Sequence, residues 1–588
     1  ADNGGVYKDH AVTSAAIPTD ATGLRFFVAT SSGGSGRWRV DDMEVVVKDA
    51  GGNVLFESDL IAQPGAAAGQ APYGVEVDWD NDGVWTESGN AISADVLTRE
   101  GHILAWERGI DEELEHVATG IAMFTVRNDT GKYSPTNTAS ALSPNVLPGR
   151  PIRIRAIYNG TVYNLFKGFI EKIVPHPAPD NQTCDILCAD GMDRLNRSTI
   201  EAPKRGVITS LKVGQATQVT GVSITFANAN PDTITRASGS FVTDGFLAGM
   251  ALRVEGSTNN DTGEGLNPTY YVIATVTATV LTLHADEGLI AEGPVAGVTL
   301  TAYGPIGIIL DEASWPFADR SLDAGVDTLD TWFVHREKPM DAIQKLLDGE
   351  KSLAFVNGAG KFVYEDRHHR LKTGLGGAAD HITSQGTFSN TMVDMEYEFS
   401  ARTVRNIAVV TGHKRTAEST TPRLWGTRDR PKIAAGEVLT LWAHLNDPSP
   451  TINVPAIDGT DFGISDTSTG ADDATLRASV PVIFTKYGQS VKMQFTNNNT
   501  KPVYIVPGTT DPNYALYIDG KEYDDDEIFA LEQNAASKTA YGDRAIDVNN
   551  PFVGNFNTLR SYAEWLVSRY KDPQPDAVSM KMVNKTSA

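Results

Sequence analysis

Alternating apolar and polar positions recur along this chain, and they predict strands far more often than helices. Ile152, Ile154 and Ala156 face one side of a strand, with Arg153 and Arg155 on the other. Asn81-Asp82-Gly83, Asp129-Thr130-Gly131 and Pro148-Gly149 supply turns between such runs. Further strands are expected over 395–400, 406–411, 480–485, 491–496 and 514–519. A hairpin is expected from Leu353-Ala354-Phe355-Val356 through Asn357-Gly358-Ala359-Gly360 into 361–367.

Helical spacing is rarer. It predicts a helix over 338–348, with Pro339 in the first turn, Ile343, Leu346 and Leu347 on one face, and Gly349 as the stop. A second helix spans 557–570 and ends at Lys571-Asp572-Pro573-Gln574-Pro575. A short third one starts after Asp190, which caps it. The fold class is therefore mainly β and multi-domain, built of β-barrels and β-sandwich modules with a few short α-helices.

At 588 residues the chain exceeds one core. Residues 1–70 alternate at 23–30, turn at 31–36 and close with Arg37-Trp38-Arg39-Val40 running on to Val47. That phrase resembles the last strand of a jelly-roll carbohydrate-binding module, so this segment is expected to be a partial jelly roll, joined on by a linker over 63–70. A first β-barrel follows over 71–205. Thr-, Val- and Ala-rich strands over 206–304 read as an inserted small β-barrel, similar to short β modules of phage virion proteins. An α+β domain over 305–400, a β domain with a further β module over 401–535, and a C-terminal segment with a helix over 536–588 complete the division.

Three phrases carry a wider resemblance. The first is Val75-Glu76-Val77-Asp78-Trp79-Asp80-Asn81-Asp82-Gly83-Val84-Trp85. The second is Val126-Arg127-Asn128-Asp129-Thr130-Gly131-Lys132-Tyr133-Ser134-Pro135-Thr136-Asn137, one residue longer than its counterpart between Asp129 and Gly131. The third runs from Leu147-Pro148-Gly149-Arg150-Pro151 to Leu165-Phe166-Lys167-Gly168-Phe169-Ile170. In this order they resemble the tail hub, or baseplate hub, proteins of tailed bacteriophages. The helix over 338–348 with Phe362-Val363-Tyr364-Glu365-Asp366-Arg367-His368-His369-Arg370, and the ending Tyr541-Gly542, Asn550-Pro551 and Arg569-Tyr570-Lys571-Asp572-Pro573, extend the resemblance to roughly residues 73–205 and 305–588. The resemblance implies a homotrimer at the tail tip of the virion, assembled in the host cytoplasm. Its implied partners are distal tail and tail tube proteins and a central fibre or tape-measure protein. DNA would pass through it without sequence-specific binding during attachment and ejection. An alternative is a tail-tip adhesin that binds host surface glycan, and a third is a cell-wall-degrading tail enzyme.

Charge and chemistry narrow these readings. A net charge of −24 opposes a nucleic-acid-binding surface and suits either solubility or an acidic conduit. No apolar run reaches the roughly twenty residues of a membrane span. Both ends are expected to continue beyond the sequence given. Cys184 and Cys188 lie roughly 13 Å apart on a strand, too far for a bridge, and are read as reduced buried thiols.

Asp78, Asp80 and Asp82 with Gly83 match the first half of a calcium loop, but the twelfth position is Gly89 and Glu87 falls two short. The simpler reading is a hairpin turn returning through Val84 and Trp85, with no cofactor. Trp38 is the candidate glycan contact, and core packing is its plainer role. Asp366-Arg367-His368-His369-Arg370 reads as surface or interface polarity, and the acidic run 522–527 as a solvated loop. No nucleophile, P-loop or metalloprotease motif stands in a fitting context, so no catalytic residue is assigned and no enzyme is expected.

Overall fold

The computed structural model describes residues 45–48, 54–58, 73–97, 104–109, 117–158, 161–178, 181–200, 211–262, 270–284, 287–369, 392–573 and 575–582. Trp38 and most of the expected jelly roll lie outside them. Only Val45–Lys48 and Val54–Ser58 are described there, paired as antiparallel strands.

The first unit is an antiparallel sheet. Strands β1 (Tyr73–Val77), β2 (Ala118–Arg127), β3 (Pro151–Tyr158), β4 (Thr161–Ala178) and β5 (Asn181–Asp190) lie in the order β1-β3-β4-β5-β2, with Val96–Leu97 and Ala105–Gly109 both paired to β2. Among the described residues the unit expected as a first β-barrel is a seven-stranded sheet. Its alternation buries Val75, Val77, Phe124, Val126, Ile152, Ile154, Ile186, Cys184 and Cys188 in one core. Both thiols are free, and burial pushes that of Cys184 up to about 12. Helix α1 (Met192–Arg197) follows β5, and Asp190 accepts from the Met192 N–H at 2.9 Å although Gly191 occupies the cap position itself.

Six strands between Ala216 and Tyr303 close into a small barrel. One buried side chain organises its Thr233-Ile234-Thr235-Arg236 phrase: Arg236 pairs with Asp244 at 2.5 Å and lies 4.7 Å over Phe241. Gly239 must be glycine there, because its φ is +82° and a Cβ would meet the Arg236 guanidinium at 2.4 Å.

Helix α2 (Pro305–Glu312) leads into the α+β unit with α3 (Pro339–Glu350) and the hairpin Leu353–Val356/Phe362–Glu365. Gly349 does not stop α3. It lies inside the last turn, where a Cβ would crowd Asn550, and Lys351 in the left-handed region ends the helix.

Strand β6 (Ile407–Ala417) pairs with β7 (Tyr523–Gln533) on one side and β8 (Ala545–Asn550) on the other. Helix α4 (Phe556–Tyr570) packs on β6 and β7, burying Leu559, Tyr562, Ala563 and Leu566. The division drawn at residue 535 therefore cuts through one sheet. A module of three three-stranded sheets, Arg423–Lys521, is nested between β6 and β7. The acidic run 522–527 is no loop: from Tyr523 onward it forms the start of β7.

Candidate functional site

The three phrases that carried the resemblance all contribute to the first sheet and the turns that pack on it. Glu76 on β1 stands opposite Arg153 on β3, the register that alternation dictates. Its carboxylate accepts from Arg153 Nε at 2.5 Å and from Arg155 at 2.6 Å, and its side chain is 7% exposed. The Arg153 guanidinium also covers Trp85 at 4.4 Å. Thus the first phrase clamps two arginines of the third.

The second phrase meets the first through Trp79 and is anchored on Asp95, which lies outside all three phrases. Asn128 accepts from the Tyr133 N–H at 2.8 Å and donates to Ser134 at 3.0 Å. Tyr133 is fully buried, its ring 6.0 Å from Trp79, and its hydroxyl donates to Asp95. Lys132 pairs with Asp95 at 2.8 Å. Burial opposes the Asp95 charge, but Lys132 and Tyr133 outweigh it and hold the carboxyl below its usual range. Gly131 takes a φ of +68°, and Asn137 donates to its carbonyl at 3.0 Å, so the longer turn closes on its own asparagine.

The acidic loop departs from a simple hairpin. Val84 and Trp85 form no return strand, and the chain comes back only at Ala91, bridged to Glu76. Ligand oxygens of Asp78, Asp80 and Asp82 lie within 4.8 Å of one another. Asp78 is buried and accepts from the N–H groups of Asp82 at 3.3 Å and Gly83 at 3.0 Å. These bonds stabilise the turn without a metal, with Asn81 at a φ of +61° and Gly83 at +86°. Glu87, two residues short of the loop's twelfth position, still comes near the cluster: Asp80, then Asp82, raise its proton affinity. Hard oxygen donors of this kind suit calcium.

A second polar cluster corrects the surface reading of Asp366–His369. Arg367 is buried, makes a two-pronged pair with Asp327 at 2.6 and 2.9 Å, and lies 4.3 Å over Tyr562 of α4. Beside it, Glu350 accepts from the Asp327 N–H at 2.6 Å and from the Tyr364 hydroxyl. His369 faces Asp323 at 2.7 Å. The cluster joins the α+β unit to the C-terminal helix. Its partners come from segments up to hundreds of residues apart, which local spacing cannot reveal.

A cavity of about 680 Å³ opens between the first sheet and the hairpin turn, lined by Arg108, Val162, Tyr163, Asp190, Leu353 and Phe355 among others. Burial raises Asp190 to about 7, against the N–H bonds from Met192 and Gly120 that favour its charge. Both of its oxygens serve the backbone.

No family model and no curated protein matches the chain. Among solved structures, it is similar to the tail protein from Neisseria meningitidis MC58, at 11% identity with a TM-score of 0.25, covering 58% of this chain and 64% of that one. It is also similar to the 43 kDa tail protein of prophage MuSo2 from Shewanella oneidensis, at 10% identity with a TM-score of 0.26, covering 58% of this chain and 63% of that one. The chain thus spans less than two thirds of the length of either tail protein.

Proposed function

We propose that the chain is a structural protein of a bacteriophage tail, acting as a homotrimeric hub at the tail tip. It links the tail tube to a central fibre and surrounds the path of the DNA during attachment and ejection. One observation carries this reading: the three hub-like phrases, separated in sequence, serve one mechanical purpose. Glu76 of the first phrase holds Arg153 and Arg155 of the third, and Lys132 and Tyr133 of the second are anchored on Asp95, so residues of all three phrases brace the sheet. Residues engaged in bracing suit a part that bears load and works through its surfaces. We assign no catalytic role to any of them, and the acidic balance of −24 suits a conduit that repels phosphate.

The test is mass measurement by light scattering on the purified chain, with negative-stain imaging of particles that contain it. Trimers and three-fold rings at the distal tail tip are expected. A stable monomer at high concentration, with no density at the tip, would overturn the hub.

A further inference from the structure

The acidic run belongs to a strand with a free edge. Strand β7 pairs with β6 along its whole length, from Tyr523 opposite Ala417 to Gln533 opposite Ile407. No strand pairs with its other edge among the described residues. Alternate residues of this eleven-residue strand therefore turn their backbone donors and acceptors to an open edge. Helix α4 covers one face of this sheet. On the opposite face Phe529 is 60% exposed and Leu531 50%, beside the half-buried Ile407 and Val409.

Charge divides the strand in two. Asp524, Asp525, Asp526 and Glu527 are exposed. Asp525 is occupied by His413 at 3.1 Å and Arg415 at 3.2 Å. Asp524, Asp526 and Glu527 form no ion pair among the described residues.

We propose that this free edge is a docking site for an extended, basic segment of a different polypeptide, which joins the sheet as a further strand. Backbone hydrogen bonds would supply affinity, and alternate side chains the selectivity. Lysines or arginines on one face of the partner would meet Asp524 and Asp526, and apolar residues on the other would cover Phe529 and Leu531, with a further cation at its end reaching Glu527. A second copy of β7 does not fit, since it would set carboxylates against carboxylates between chains that each carry −24. Charge alone also serves to keep edges unpaired. A guard of that kind has no need of two large apolar side chains exposed on the same face of the same strand. The proposal does not depend on the hub reading.

The probe is a short fluorescent peptide alternating valine and lysine, with a valine–glutamate peptide as its counterpart, each titrated into the full chain. Anisotropy and amide hydrogen exchange are read together. Binding of the lysine peptide is expected to protect the β7 amides. The triple variant Asp524→Lys, Asp526→Lys, Glu527→Lys should weaken it by about tenfold or more, and Phe529→Ser by several-fold. Equal binding of both peptides, or anisotropy changes without protection in β7, would overturn the proposal. The exchange measurement on the unaltered chain decides the matter even where a variant folds poorly.

Discussion

Replacing Glu76 by alanine removes the one carboxylate that two arginines share. Truncating one partner of a buried ion pair costs about 3–5 kcal/mol, because the remaining charge is stranded. Here the arginine side chains keep 22% and 18% of their exposure, so water recovers part of that loss. A cost of about 2–3 kcal/mol is expected after that discount. Glu76→Gln keeps the shape and one acceptor oxygen and should lose roughly half as much. The pair Glu76→Ala and Arg155→Met should couple by about 1–2 kcal/mol in a double-mutant cycle. The chain has several units, so one global unfolding transition would blur the result. Amide exchange in β1 and β3, followed in the full chain, reads the local opening free energy directly. Exchange in those strands unchanged within about 0.5 kcal/mol would refute the bracing role of the motif.

Other outcomes follow from the same geometry. Arg367→Met leaves Asp327 buried without its cation and should cost about 3–5 kcal/mol, with Asp327→Asn restoring part of it in the double variant; urea midpoints read by Trp565 fluorescence check this. Asp190 has a folded pKa raised to about 7 from an ordinary 3.8, so the folded state holds the extra proton between those values. Its contribution to stability is therefore full below about pH 4 and is lost as pH rises through 7. Between pH 5 and pH 8, Asp190→Asn should lose less stability than the unaltered chain, and parallel pH slopes would contradict this. Calcium at millimolar concentration should stabilise the first sheet by no more than about 0.4 kcal/mol near half-saturation, since Asp78 already serves the backbone. A calorimetric titration revealing micromolar affinity, abolished by Asp80→Asn, would instead make the loop a true metal centre.

Where alternation ruled, the fold could be read in advance. Ile152 and Ile154 are buried and Arg153 and Arg155 turn away, as a period of two requires. The two longer helices also follow their apolar spacing, to within a residue or two of their ends. What escaped the sequence was long-range pairing. Nothing local says that β6 lies between β7 and β8, more than a hundred residues downstream, with a whole module nested in the interval. Composition misled in the same places. Four consecutive acids read as a solvated loop because strands avoid them, yet the backbone ladder to β6 holds the run extended and His413 and Arg415 on that strand pair with Asp525. Arg367 read as surface because arginine is seldom buried, until Asp327 and Tyr562 arrive from either side. In both cases a charged residue departs from its usual place because a distant partner changes the balance. Such departures mark where separate segments have been joined, and in this chain they fall along the junction of the α+β unit, α4 and the free edge of β7.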